Sequence, residues 1–336
     1  MRSGSGATGG MLGGLKYDAF IDKDWKSKSA NKPFEEAFPA ERLFVGETDG
    51  SSFPNGGLRV THRAAAFTTW DRGSPPVVLG DTLLIPCAFL TQLGTSIDEK
   101  TPLLRSSDAI QREGLRLLKN MGKDSEATMI HNYLGWEQEF FVVDAELYKQ
   151  RPDLVNCGRT LMGNLPPRNQ QGSLCYFSPV PKSVDALMLN IQAKMVELGC
   201  PMIVRHNEVA PGQHEMSPIF TVSNASADQN VLFMQIANDE AAKLGLQVLF
   251  HEKPFAGING SGKHSNWSVG TDTGTNFFAP GKTDDSLEIY CAGIACLAYG
   301  LNQHTQLVRS CVASAGNDFR LGAQEAPLRS SRCTPA

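Results

Sequence analysis

Apolar positions recur at helical spacing most clearly from Ser183 to Leu198. Val184, Leu187, Met188, Ile191, Met195 and Leu198 fall on one face, and Gly199 supplies the stop. Ser226–Leu246 and Ser286–Leu301 read as further helices. Ser107 and Asp108 are suited to cap another that runs through Lys119 and ends at Gly122. Short apolar or alternating runs read as strands: Met129–Tyr133, Glu139–Val143, Met202–Arg205, Ile219–Val222, Val248–Phe250 and Lys263–Val269. Before Arg105 the texture differs. Turn residues (Asp49-Gly50, Pro54–Gly57, Gly73–Pro76) divide short β-branched and aromatic runs such as Arg59–Thr61 and Ala66–Trp70. The pattern predicts a polar, flexible segment over residues 1–35, a small sheet-rich domain over 36–103, and a larger α+β domain over 104–336. No internal repeat occurs at a solenoid period.

Composition narrows the class. The chain has 336 residues, 41% hydrophobic and 20% charged, which is enough to bury a core and excludes wholesale disorder. Lys plus Arg number 31 and Asp plus Glu 35, a net charge of −4, which argues against coating nucleic acid or an anionic membrane. The longest nearly apolar run, Tyr290–Leu301, is too short to cross a bilayer. No signal-peptide pattern opens the chain. Eight cysteines without a C-x-x-C pair read as reduced, mostly buried thiols of a cytoplasmic protein.

Several short motifs lack the context they need. Gly4–Gly9 spells a dinucleotide fingerprint, but no strand precedes it. Gly257–Lys263 fits a phosphate loop, yet His264 replaces the Ser or Thr and a strand-like run follows where a helix must open. Asp272-Thr273-Gly274 resembles an aspartic-protease loop without a second copy to share the proton. The sequons at Asn224, Asn259 and Asn266 mean little without a secretory signal.

The chemistry gathers in three segments. In Gly135–Asp144, Glu137 and Glu139 stand two apart and so share one strand face. In Arg205–Glu215, the Pro211-Gly212 turn sets Glu208 and Glu215 on neighbouring strand ends facing each other. In Gly257–Ser268, the alternating His264, Asn266 and Ser268 share a face. Four glutamates on one sheet repel and raise each other's pKa unless cations neutralise them. Carboxylates with a single imidazole suit Mg2+ or Mn2+ better than zinc. The residues alone therefore point to a metal-dependent phosphoryl-transfer or hydrolytic site, with a scattered polar surface as the bland alternative.

Taken together, these motifs resemble glutamine synthetase, specifically its type III branch, from about Tyr17 to Pro327. Asp49-Gly50-Ser51-Ser52 is similar to the family's ammonium-site loop, and Ser51–Arg59 is particularly like type III. Glu137 and Glu139 match G-x-E-x-E, and Glu208 and Glu215 match E-x-x-P-G-Q-x-E. Asn259-Gly260-x-Gly262-x-His264 matches the glutamate-binding loop, and Asn317–Pro327 the glutamate flap. The resemblance implies a small β-grasp domain before a catalytic domain with an antiparallel sheet and flanking helices. It implies that Glu139, Glu208 and Glu215 hold one metal ion, and Glu137 and His264 a second. Asn259, Gly260 and Arg320, beside Glu139 and His264, would bind glutamate. Phe220, Asn266 and Ser268 would contact ATP, Asp49 would bind ammonium and take its proton, and Glu325 would shield the intermediate. ATP would phosphorylate the glutamate side chain, and ammonia would then displace phosphate. Family members assemble as homo-oligomeric rings.

The match breaks at the ends. Beyond Pro327 the short polar tail, with Arg329 and Arg332 off motif positions, does not resemble the family's continuation, and the N-terminal region is short for type III. The expectation is a chain truncated at both ends, with little synthetase activity of its own. Two alternatives stand beside it: a ligase joining glutamate to another amine, and a non-catalytic paralogue or subunit.

Overall fold

The computed structural model describes residues 66–91 and 94–321. Residues 1–65, which hold Asp49 and most of the β-grasp expectation, and residues 322–336, which hold Glu325 and the tail, lie outside the described ones. The chain divides into two compact units, residues 1–109 and 110–336.

In the first unit, β1 (Ala66–Trp70) pairs antiparallel with β4 (Cys87–Thr91). β2 (Val77–Leu79) and β3 (Thr82–Leu84) form a hairpin between them in sequence. Helix α1 (Lys100–Met121) begins earlier than the Ser107–Asp108 cap predicted. The Asp98 carboxylate accepts the Thr101 N–H at 3.0 Å and so satisfies the start of the helix, where Pro102 is harmless. Ser106 and Ser107 instead donate back to the Leu103 carbonyl, within the first turns.

The second unit is built on one long strand, β5 (Ile130–Asp144). The sequence suggested two strands here, Met129–Tyr133 and Glu139–Val143, separated by residues 134–138. In the fold the strand is continuous, and the polar stretch Glu137–Glu139 is where its two faces differ most. Trp136, Gln138 and Phe140 point to a buried face, all at most 3% exposed. That face is covered by α4 (Lys182–Glu197) and α5 (Ser223–Lys243), α2 (Ala145–Lys149) and α3 (Pro152–Cys157) being short helices after β5. The predicted stripe of α4 is buried at Val184, Leu187, Met188, Ile191 and Met195. From α5, Phe233 packs on Trp136 (5.0 Å between ring centres) and Phe140 (6.0 Å), while Asn230 donates to the Gln138 side chain. Phe250 closes the aromatic cluster.

Around β5 the sheet is antiparallel throughout, in the order β10–β5–β7–β6. Its other strands are β6 (Met202–Asn207), β7 (Gln213–Pro218) and β10 (Lys263–Thr271). Two short strands, β8 (Thr221–Val222) and β9 (Leu246–Leu249), pair with other stretches of β5. β7 was not foreseen: every one of its residues is buried, so it shows no apolar–polar alternation. A second apolar cluster, Leu118, Ile130, Val269, Phe277 and Ile289, joins α1 to β5, β10 and α6 (Asp284–Gln303), which precedes α7 (Thr305–Val312). The architecture is α+β. No helix among the described residues is long and apolar enough to cross a membrane.

Phe140 is fully buried at the centre of this packing. Its truncation to Ala is expected to remove about 3–5 kcal/mol of stability, the usual range for deleting a buried aromatic ring. Urea unfolding of Phe140→Ala measures this; a loss below about 1 kcal/mol would mean that the helix layer does not anchor β5.

Candidate metal and substrate site

The outer face of the sheet carries the polar residues, and strand register brings them together. Cross-strand partners share a face. Glu137 stands opposite His264, Gly135 opposite Asn266, and Tyr133 opposite Ser268. On the other side of β5, Glu139 stands opposite Glu215, which in turn stands opposite His206. The face therefore reads His264–Glu137 in one row and Glu139–Glu215–His206 in the next. Glu208 follows two residues after His206, at the turn where its own N–H donates to the Gln213 carbonyl.

The donors fall into two groups. His206, Glu208 and Glu215 each offer one ligand atom, all within 4.8 Å of one another. The second group is Glu137, Glu139 and His264: His264 Nδ1 lies 3.1 Å from Glu137 Oε2 and 3.9 Å from Glu139 Oε1. Glu139 is drawn to this second group by its other oxygen, which accepts the Gly262 N–H at 2.6 Å. The resemblance grouped Glu139 with Glu208 and Glu215. His206 was not singled out in the sequence, although the same two-residue spacing that marks Glu137 and Glu139 links it to Glu208. Two carboxylates with one imidazole form an oxygen-rich donor set, which suits a hard divalent ion. Glu215 is 7% exposed, and an ionised carboxylate that deep calls for a cation or strong donors. The nearby Tyr176 phenol is pushed up by its burial and by the negative charge of Glu208, Glu215 and Glu137.

Backbone approach shapes the second group. A Cβ on Gly260 would sit 2.2 Å from the Glu252 carbonyl, and one on Gly262 would sit 2.7 Å from His264 Nε2 and 2.9 Å from Arg320 Nη2. Only glycine fits at 260, where the neighbour is backbone, and a Cβ at 262 would displace the His264 and Arg320 side chains. Arg320 follows a short 3-10 turn (Asn317–Phe319). Its Nη2 meets His264 Nε2 at 3.4 Å. A guanidinium only donates, so His264 Nε2 accepts and Nδ1–H faces Glu137. Asn266 donates to the other Glu137 oxygen at 2.7 Å. Farther along the same face, Phe220 is 62% exposed and stands edge-on to Tyr133 at 5.7 Å. Phe220, Asn266 and Ser268 thus lie along one strip beside Glu137. The P-loop reading fails on the structure, because Lys263 opens strand β10 rather than a helix.

Two buried groups beneath the site hold its parts in place. Gln213, 1% exposed, donates from Nε2 to the Gly260 carbonyl (2.8 Å), Ser261 Oγ (3.2 Å) and Glu139 Oε2 (3.4 Å), and accepts the Ala210 N–H. On the opposite face, Asn207 Nδ2 donates to the Ser178 carbonyl, so its Oδ1 accepts from His214 Nδ1–H at 3.0 Å. Burial, with the adjacent His206, pushes His214 down to about 4, which keeps this imidazole neutral. Gln213→Met keeps the length of the side chain but strands the Gly260 carbonyl. A loss of about 1–3 kcal/mol is expected from the unsatisfied groups. Urea unfolding reads the loss, and hydrogen exchange should rise across residues 258–262; unchanged exchange there would show that Gln213 does not hold the loop.

Comparison with known proteins places the chain in a family. Residues 9–106 match the family described as "Glutamine synthetase type III N terminal", and residues 112–314 match "Glutamine synthetase, catalytic domain". The chain is 44% identical over 294 residues to the type-3 glutamine synthetase of Dictyostelium discoideum, covering 86% of this chain and 40% of that protein. It is 44% identical over 312 residues to a glutamine synthetase of Bacteroides fragilis, covering 93% and 42%. The chain therefore spans well under half the length of these curated relatives. A cryo-EM structure of Plasmodium falciparum glutamine synthetase shares the fold, with a TM-score of 0.55 at 19% identity over 82% of this chain and 54% of that one. The chain belongs to the glutamine synthetase family, on its type III branch.

Proposed function

We propose that the protein joins ammonia to the side-chain carboxylate of glutamate, driven by ATP through a γ-glutamyl phosphate, and releases glutamine, ADP and phosphate. One observation carries this reading: four glutamates and two histidines converge on one sheet face beside Arg320 and the glycine loop. His206, Glu208 and Glu215 form one site for Mg2+ or Mn2+, and Glu137, Glu139 and His264 a second. Bound there, the ions would neutralise charge on phosphate oxygens, with no phosphate loop needed. The chain's own groups orient the substrates. Arg320 offers a planar fork to the glutamate carboxylate, with Asn259 and Gly260 beside it. Phe220 presents an open aromatic face to the nucleotide base, and Asn266 and Ser268 flank it. Asp49 takes the ammonium proton and Glu325 screens the intermediate from water; both assignments rest on the family motifs. Domains over 36–103, a β-grasp, and 104–336, catalytic, belong to the same reading, as does assembly into homo-oligomeric rings. Every described cysteine is a free thiol, which supports the cytoplasm as the compartment, but only Cys175 and Cys200 among them are buried rather than most of them as the sequence suggested.

Calorimetric titration of the purified chain with Mn2+ tests the site. Binding should weaken at least about tenfold in Glu208→Gln and in Glu215→Gln, since each removes a charged oxygen ligand. Glutamate should then bind to the metal-loaded chain and lose affinity in Arg320→Ala. Mn2+ binding that neither glutamate substitution weakens would contradict the metal assignment. ADP release supported by a polyamine but not by ammonium would contradict the ammonia assignment.

A further inference from the structure

The segment between α3 and α4 crosses to the glycine loop at one point. Gln170 and Asn259, 89 residues apart in sequence, exchange two hydrogen bonds. Asn259 N–H donates to Gln170 Oε1 at 2.8 Å, and Gln170 Nε2 donates to Asn259 Oδ1 at 3.0 Å. The pairing fixes both amides without ambiguity. A backbone N–H is always a donor, so the Gln170 atom facing it must be the oxygen. The other Gln170 atom is then the NH2, and the Asn259 atom facing it must be the carbonyl oxygen.

Asn259 Nδ2, with its two hydrogens, is thereby turned away from Gln170, and no acceptor among the described residues takes it. The segment before α4 and the Gly257–Ile258 stretch line an open pocket of about 330 Å3, with Leu165 packed against Gly257 at one side of it. The rest of the glycine loop is fastened separately: the Gly260 carbonyl to Gln213, and Ser261 N–H to the Glu252 carbonyl. The Asn259 side chain has the Gln170 amide as its tether.

We propose that Gln170 is a positioning residue for the amino-acid substrate: it holds Asn259 so that the amide NH2, rather than the carbonyl, faces the substrate carboxylate. The inference rests on the function proposed above. Two substitutions separate the hydrogen bonds from bulk. Gln170→Met keeps the volume and removes both bonds, leaving Asn259 free to rotate. Gln170→Glu can still accept the Asn259 N–H, but its second oxygen repels Oδ1. The Asn259 amide then turns over and presents its carbonyl to an anionic substrate.

The experiment measures L-glutamate and Mn2+ affinity of the full chain by calorimetry, with hydrogen exchange at the Asn259 amide. Losing an oriented hydrogen bond weakens binding about tenfold. Glutamate affinity should fall by that factor in Gln170→Met and by more in Gln170→Glu, with Mn2+ affinity unchanged. Exchange at Asn259 should speed up in Gln170→Met and stay slow in Gln170→Glu. Equal glutamate affinity in wild type and both variants overturns the inference and leaves the proposed function standing. Parallel loss of Mn2+ binding also overturns it, because Gln170 would then be a general structural residue. A wild-type chain that binds Mn2+ but no glutamate contradicts the proposed function itself, and the substrate role of Gln170 with it.

Discussion

Two buried carboxylates placed face to face are the constraint on which the site depends. Glu139 and Glu215 occupy opposite register positions on adjacent strands, 3% and 7% exposed. Like charges so placed are unfavourable, and the effect grows as water is excluded. The arrangement persists because strong donors are aimed at it: Gly262 N–H and Gln213 Nε2 at Glu139, and Ser217 Oγ at Glu215 (2.9 Å). The same concentration of acceptor oxygens makes the face a divalent-ion site.

Holding acceptors there requires a sheet that does not shift. A one-residue slip of β5 against β7 would send Glu139 into the helix layer and a core side chain out to the site. The aromatic packing of Trp136 and Phe140 against Phe233 and Phe250 opposes that slip from the other face. Packing and chemistry are therefore two faces of one strand. The glycine loop adds the substrate side: close approach at Gly260 and Gly262 lets Arg320 reach His264, and buried Gln213 ties the loop to the carboxylates.

The period of two along a strand made much of this legible. It placed Glu137 with Glu139, and His264 with Asn266 and Ser268, on shared faces, and the Pro211-Gly212 turn brought Glu208 toward Glu215. The same rule applied to Arg205–Glu208 would have added His206. Other features were hidden for physical reasons. β7 is buried on both faces and has no alternation to read. β5 read as two strands, whereas its polar middle belongs to the site rather than to a turn. The start of α1 depends on Asp98, which lies upstream of the Ser107–Asp108 cap that the sequence suggested. The division of Glu139 between the two donor groups depends on Gly262, 123 residues away, and the Gln170–Asn259 pair spans 89 residues. Contacts at such separation leave no local signature in the chain.

The most direct test is an anomalous-scattering map from crystals of the chain soaked in Mn2+. The account predicts one peak among His206, Glu208 and Glu215 and a second beside Glu137, Glu139 and His264, each at metal–ligand distance of about 2–2.3 Å from carboxylate oxygen. Mn2+ peaks that avoid this face, or a fully soaked crystal with neither position occupied, would contradict it.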